Sequence, residues 1–298
     1  MADILSKGAL FPEELISGLI QKTTGASSLA ALCAAKPIPF NGSKEFTFQL
    51  DKEINIVAEN GPHTKGGATI LPVTTVPFKI EYGARISDEF MYASEDAKLD
   101  YLSAFSDGFS KKVAKGLDLM ALHGINPRTA TASTVIGDNH FDKMITQIVT
   151  QSAATADADV EAAIALVQGS EHDVNGLVMS PAFRSALAAL LTTGGAKMYP
   201  ELAWGSKPGA LNGLTAQSSS NLSANASLDR ALVGDFQNCF KWGYAKQIPI
   251  EIVQYGNPDN DTELGDLKGH GQIYIRGELY LGWGLLDATA FALIKAAS

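Results

Sequence analysis

Residues 46–57, FTFQLDKEINIV, and residues 69–82, TILPVTTVPFKIEY, decide how this chain folds. Both alternate apolar and polar side chains, the period of a strand with one covered face. Between them lies AENGPHTKGGA, punctuated by Gly61, Pro62, Gly66 and Gly67, which reads as a turn. The pair predicts a long β-hairpin, and a lone two-stranded hairpin is marginal in water. Its apolar side chains need another surface. A second copy of the same chain can supply one.

Immediately downstream, residues 94–123 predict one long amphipathic helix. Ser94 is placed as the N-cap, with Glu95 and Asp96 near the positive helix end. Leu99, Leu102, Phe105, Phe109, Val113, Leu117 and Met120 recur every three or four residues as an apolar stripe, and Gly124 ends it. About 30 residues at 1.5 Å each give about 45 Å. Gly108 and Gly116 inside the helix each cost about 1 kcal/mol relative to Ala, which points to close packing or a bend.

Upstream, Phe11, Leu15, Ile16, Leu19 and Ile20 predict a short helix, followed by a weaker apolar stretch at 29–35 that Pro37 and Pro39 end. The segment reads either as an arm lying on another surface or as an N-terminal helix packed on its own domain. Beyond residue 150 the pattern becomes an α/β alternation. A helix at 160–167 precedes a buried strand at 176–179 (GLVM). A second helix is capped by Ser180, begins with Pro181 and carries Phe183, Leu187, Leu190 and Leu191. Residues 205–227, rich in Gly, Ser and Asn, predict a loop. Strands follow at 231–233, 239–244 and 248–253, then an acidic loop at 257–266 and a last strand pair around 273–283 and 291–294.

The 298 residues are 46% hydrophobic and 18% charged, a globular composition long enough to bury one large or two modest cores. The net charge of −9, with scattered basic residues, argues against a protein that coats nucleic acid. Two cysteines are too few for a disulfide framework or a four-ligand zinc site, which suits a reducing compartment. No basic region precedes an apolar core at the N-terminus, and the apolar run at 29–35 is far short of the roughly 20 residues that span a bilayer. The expectation is a soluble protein of a cell interior, or of a particle built there, with no membrane contact.

Chemical motifs are sparse. TTGGAKMY (192–199) lacks the GK[ST] end of a phosphate loop and reads as a helix end followed by a turn. G-x-S-x-G and G-x-G-x-x-G are absent. DNDTELGD (259–266) resembles a calcium loop in composition alone and reads as a solvated acidic loop. The histidines at 63, 123, 140, 172 and 270 form no i,i+4 pair and no H-x-H, so metal ligation has no local support. Trp204, Trp242 and Trp283 read as core or interface anchors. No catalytic, cofactor-binding or metal-binding residue is nominated. A spatial Ser/His/Asp grouping keeps a hydrolase or ligand-binding α/β domain open as an alternative.

Five stretches in order resemble the tailed-bacteriophage major capsid proteins of the Hong Kong 97 fold: AENGPHTKGGATILPVTTVPFKIEYGARISDEFMYAS, DYLSAFSDGFSKKVAKGLDLMALHG, GLVMSPAFRSALAALLTTGGAKMYPEL, ALVGDFQNCFKWGYAKQIPIEIV and GQIYIRGELYLGWGLLDATAFALIKA. The resemblance spans about residues 25–297. It implies an α+β capsid fold divided into an N-terminal arm (1–40), an extended β-hairpin loop (41–77), a peripheral domain with a spine helix (78–150, helix 94–123), an α/β axial domain (151–267) and closing strands (268–298).

The function it implies is geometric: pentamers and hexamers closing into an icosahedral shell around double-stranded DNA, assembled in a bacterial cytoplasm. Phe46, Phe48, Ile54 and Ile56 on the loop, with Lys65, Phe11 and Leu15, are the candidates for contact between subunits. A separate scaffolding protein, or none, is expected, since about 40 residues precede the loop where some relatives carry about a hundred more. A portal is a further partner, a decoration protein is left open by the sequence, and packaged DNA is touched non-specifically. Some relatives crosslink a loop lysine to an asparagine before the closing strand. Lys65 stands as the amine, but residues 269–282 contain no asparagine, so no crosslink is expected. An encapsulin-type bacterial nanocompartment shares the fold and is the structural alternative.

Overall fold

The computed structural model describes residues 27–152 and 155–297, with backbone alone at 47–49, 71 and 247–249. The helix expected around Phe11 and Leu15 lies outside the described residues. The first described element, α1 (Ser28–Leu32), is capped by Ser27, whose hydroxyl accepts from the Ala30 N–H at 3.1 Å. Leu29, Ala30 and Leu32 are buried in the chain's own core. The following stretch lies beside a later strand: Lys36 N–H donates to Trp242 O at 2.9 Å and Ile38 N–H to Tyr244 O at 3.2 Å. From residue 27 onward, the own-domain reading of this segment is the one the structure supports.

The hairpin is shorter and more divided than its sequence period suggests. Strand β1 (Ser43–Leu50) pairs antiparallel with β2 (Ala68–Thr75), and residues 51–67 form a long tip without strand pairing. The stretch read as one strand at 69–82 is two. Pro77 has no N–H to donate to a ladder. After it, β3 (Phe78–Ser87) joins a different sheet, where it pairs with β12 (Gln272–Leu285).

The long helix, α2 (Glu95–His123), runs 29 residues between the expected ends. Ser94 Oγ accepts from the Ala97 N–H, and Gly124 takes the left-handed φ of 65° that favours a residue without Cβ. Phe109, Val113, Leu117 and Met120 are buried, whereas Leu99 at the N-terminal end is exposed. A Cβ on Gly116 would meet Pro127 and Met120 at ordinary contact distance, and one on Gly108 would meet nothing, so neither glycine reflects crowding.

Short strands β4 (Ile125–Asn126) and β5 (Thr131–Ala132) pair after α2, and α3 (Phe141–Met144) precedes β6 (Ile148–Thr150). Helix α4 (Ala156–Gly169) extends beyond the expected 160–167 at both ends. Strand β7 (Gly176–Met179) and α5 (Pro181–Ala189) follow as read, with Ser180 Oγ accepting from Phe183 N–H at 3.2 Å.

The stretch 205–227 is not all loop: it holds β8 (Ala210–Leu211) and β9 (Leu214–Ser218). Their turn is Asn212–Gly213, with φ of 49° and 89°, a compact hairpin signal embedded in a Gly/Ser-rich run. Strand β9 lies parallel to β7 and buries Ala216, a long-range pairing that local composition does not report.

Strand β10 (Asp229–Gly234), the short α6 (Phe236–Cys239) and β11 (Phe240–Val253) come next. The two strands expected at 239–244 and 248–253 are one strand with register shifts at Tyr244/Lys246 and Ile248/Glu251. The expected closing pair is also divided: β12 sits between β11 and β3, while β13 (Phe291–Lys295) pairs with β10 and β6.

The strands form a three-stranded antiparallel sheet, β11-β12-β3, and a six-stranded mixed sheet, β6-β13-β10-β7-β9-β8. The chain crosses between them three times, through the stretch from β3 to β6 that includes α2, through α6, and through the β12–β13 turn. One apolar cluster joins both sheets to α2, with Trp242, Trp283, Phe141, Phe236, Phe240 and Phe291 at its centre. A second lies between the six-stranded sheet, α4 and α5.

Candidate intersubunit interface

The β1–β2 hairpin is held at its base and free along its length. Thr75 is buried against Gly284, where an added Cβ would come within 2.6 Å of Thr75 Oγ1. The Lys241 ammonium pairs with the Glu45 carboxylate and ties β1 to β11. Directly paired residues in an antiparallel ribbon share a face. Phe46 pairs with Pro72, Phe48 with Ile70 and Leu50 with Ala68, which puts Phe46, Leu50, Ala68, Ile70 and Pro72 on one face. That face is open: Phe46 is 68% exposed, Leu50 65% and Ile70 57%.

At the tip, Asp51 and Gly67 close the ribbon, with Gly67 N–H donating to Asp51 Oδ1 at 2.7 Å and Asp51 N–H to Gly67 O at 3.2 Å. Beyond this closure Ile54 and Ile56 are 96% and 95% exposed. A soluble monomer rarely shows contiguous apolar surface on this scale without a partner for it. Covering one such side chain contributes about 1.5–3 kcal/mol.

Phe46, Ile54 and Ile56, the residues nominated from sequence, are therefore solvent-facing. Phe48 is placed by its register alone, and Phe11 and Leu15 lie outside the described residues. Lys65 sits on the exposed tip, where its carbonyl accepts from Lys52 Nζ at 3.4 Å. Sequence reading missed Leu50 and Ile70. The two-residue period of β1 and the cross-strand register place both with Phe46. Trp204, fully exposed with a left-handed φ of 57°, is an apolar surface feature of the other half, while Trp242 and Trp283 are core.

Inside the protomer, buried charges hold elements together. Asp118 on α2 is fully buried and accepts from Ser27 Oγ at 2.6 Å, Ser28 N at 3.1 Å and Asn221 Nδ2 at 3.0 Å. His123, at the end of α2, places Nδ1 at 2.6 Å from Asp142 Oδ2 and Nε2 at 3.0 Å from Asn221 O. Both ring nitrogens face acceptors, so the imidazolium satisfies both. Burial pulls its pKa down, but Asp142 outweighs this and raises it. Burial opposes ionisation of Asp142 too, yet its hydrogen bond to His123 holds the carboxyl at about 2. Burial and the adjacent Asp142 push Asp229 up to about 6. Lys295 Nζ, at 3.2 Å from Asp229 Oδ1, supplies a second cation.

The acidic loop is largely exposed, as its composition suggests, and it carries a cation from the chain itself. Arg85 reaches into it, with Nε at 2.8 Å from Asp259 Oδ2 and Nη2 at 2.7 Å from Asn257 Oδ1 and 2.9 Å from Gly265 O. The loop's positive charge thus comes from the chain itself. Asp259, held by that guanidinium, falls to about 2.

The sequence pattern of the phage capsid family matches residues 7–296. A solved structure from Mycobacterium phage Ogopogo is 30% identical, covers 91% of this chain and 92% of its own, and superposes with a TM-score of 0.78. One from Gordonia phage Cozz is 20% identical over 91% of this chain and 87% of its own, with a TM-score of 0.73. A structure described as the capsid of a native GTA particle is 14% identical over 93% and 91%, with a TM-score of 0.66. Comparison with curated proteins finds no match.

Proposed function

The chain belongs to the phage capsid family and is a major capsid protein of the Hong Kong 97-like fold, and from that premise we propose how it builds its shell. The nanocompartment alternative is not favoured by these similarities. The protein's role is that of a structural unit of the virion, repeated in an icosahedral shell. In our reading, protomers gather as pentamers and hexamers through the half built on the six-stranded sheet. The half that carries α2 and the three-stranded sheet joins these rings. The enclosed cargo is double-stranded DNA, met non-specifically by a chain of net charge −9. Assembly takes place in the bacterial cytoplasm, with a separate scaffolding protein and a portal as partners.

The observation that carries this reading is the exposed apolar face of β1 and β2. We assign it, with Ile54 and Ile56, to a neighbouring protomer. Two-stranded ribbons also leave backbone donors and acceptors unpaired on both edges, and these can extend a neighbour's sheet. The test is deletion of residues 55–68 followed by light scattering and electron microscopy of the assembly reaction. Closed shells are expected from the intact chain and not from the deletion. Closed shells from the deletion overturn the assignment.

A further inference from the structure

The β10–β11 and β12–β13 crossings between the two sheets pass one cluster of donors that sequence spacing does not reveal. His172 lies between α4 and β7, Asp235 caps and Cys239 ends α6 on the β10–β11 crossing, and Asp287 lies on the β12–β13 crossing. His172 Nδ1, Cys239 Sγ and one carboxylate oxygen of Asp235 all fall within 4.8 Å of one another, with Sγ and Nδ1 3.9 Å apart. Asp235 and Cys239 are buried, and His172 leaves one side open to solvent.

The surroundings orient these atoms as ligands. Asp287 Oδ2 lies 3.3 Å from His172 Nε2, and Asp287 Oδ1 is itself held by Thr289 N at 2.9 Å and Oγ1 at 2.6 Å. A carboxylate on Nε2 fixes the proton there and leaves the Nδ1 lone pair facing Cys239, the carboxylate–histidine arrangement found behind metal ligands. Asp235 is oriented by Asn175 Nδ2 and by Asn238, whose N–H lies 3.1 Å from Oδ1 and whose Nδ2 lies 2.8 Å from Oδ2.

We propose that His172 Nδ1, Cys239 Sγ and an Asp235 carboxylate oxygen bind one divalent ion of the zinc class, with Asp287 as the positioning residue for His172. An imidazole, thiolate and carboxylate set suits a borderline-soft ion. Bonds of about 2.0–2.3 Å in a tetrahedron place donors about 3.3–3.6 Å apart, a contraction of about an ångström or less at each donor from the present spacing. Water takes the fourth position from the solvent side. As the sulfur–metal bond forms, the thiol proton leaves to solvent. The ion then clasps the β10–β11 and β12–β13 crossings to the loop before β7, fixing one sheet against the other. This clasp concerns the protomer's own fold and stands apart from the hairpin reading.

The test is a Co²⁺ titration of the chelator-treated full chain, followed by absorbance, with Zn²⁺ as competitor. The intact chain and Cys33→Ser are expected to give a saturable thiolate-to-cobalt charge-transfer band that Zn²⁺ removes. Cys239→Ser and His172→Ala are expected to lose it, and Asp287→Asn to need about 10–100-fold more Co²⁺. Should Cys239→Ser fail to fold, His172→Ala decides by the same band. Absence of the band from the intact chain, or its persistence in either variant, overturns the site and leaves a metal-free thiol–imidazole contact.

Discussion

The Asp118 carboxylate accepts the backbone N–H of Ser28 at 3.1 Å, across 90 positions of sequence. Ser27 Oγ, Ser28 Oγ, Leu29 N and Asn221 Nδ2 use the same carboxylate. One buried side chain towards the C-terminal end of α2 thus anchors the segment that enters the core and the loop before β10. Removing it leaves several buried donors unpaired, each costing about 1–3 kcal/mol. Asp118→Ala is expected to lower the stability of unassembled protein by about 3–5 kcal/mol, and Asp118→Asn by less. Urea denaturation reads this, and a loss under about 1 kcal/mol for Asp118→Ala contradicts the anchoring role.

The junction of His123, Asp142, Asp229 and Lys295 makes stability depend on pH with a definite sign. Asp229 binds its proton up to about pH 6 in the fold, against 3.8 for the ordinary carboxyl. Between those values the folded chain holds the extra proton, so this contribution declines as pH rises. The raised pKa of His123 acts in the same direction above 6.5: its contribution is complete below that value and is lost as pH climbs through the folded one. Asp142 opposes both in acid, where stability is lost as pH falls from 3.8 towards about 2. Asp229→Asn, a neutral isostere, is expected to flatten the thermal midpoint against pH between about pH 4 and pH 6. An unchanged slope contradicts the assignment.

At Gly243 the backbone of β11 lies close against the entering N-terminal segment. A Cβ there would lie 1.7 Å from Lys36 O, a backbone atom that cannot yield without breaking the Lys36–Trp242 hydrogen bond. Gly243→Ala is expected to cost about 3 kcal/mol or more, or to prevent folding. A thermal midpoint close to that of the parent chain would show the segment is free to move away.

On the open face of the hairpin the expectation reverses. Phe46→Ser and Ile70→Ser change side chains already in water, so unassembled protein should keep its stability within about 0.5 kcal/mol. Each substitution should weaken assembly by about 1.5–3 kcal/mol per contact. That raises the concentration needed for assembly about tenfold for every 1.4 kcal/mol. Light scattering against protein concentration measures it, and unchanged assembly in both variants rejects this face as the contact.

Elements whose signals are local were readable from residues alone. Ser94 and Gly124 bound α2 because capping and the left-handed turn depend on a few neighbouring residues. The GLVM strand and the Ser180–Pro181 helix start are similarly local. Strand β9 was not readable, because its partner β7 lies far away in sequence and the Asn212–Gly213 turn was lost among glycines and serines. The period at 69–82 runs smoothly through Pro77, yet the chain changes sheets there, which no alternation of side chains records. Of the interface, Phe46 and Phe48 were read from the β1 pattern, Leu50 at the strand's end was missed, and Ile70 required the cross-strand register. The His172, Asp235 and Cys239 grouping depends on two crossings between sheets and has no sequence spacing to betray it.

The central claim is that the β1–β2 ribbon completes its packing on an adjoining protomer. A cryo-electron microscopy map of the assembled particle tests it most directly. The account predicts density that places Phe46, Leu50 and Ile70 in contact with a neighbouring copy, with the tip at Ile54 and Ile56 covered. A ribbon folded back on its own protomer, or standing free in solvent throughout the shell, would contradict it.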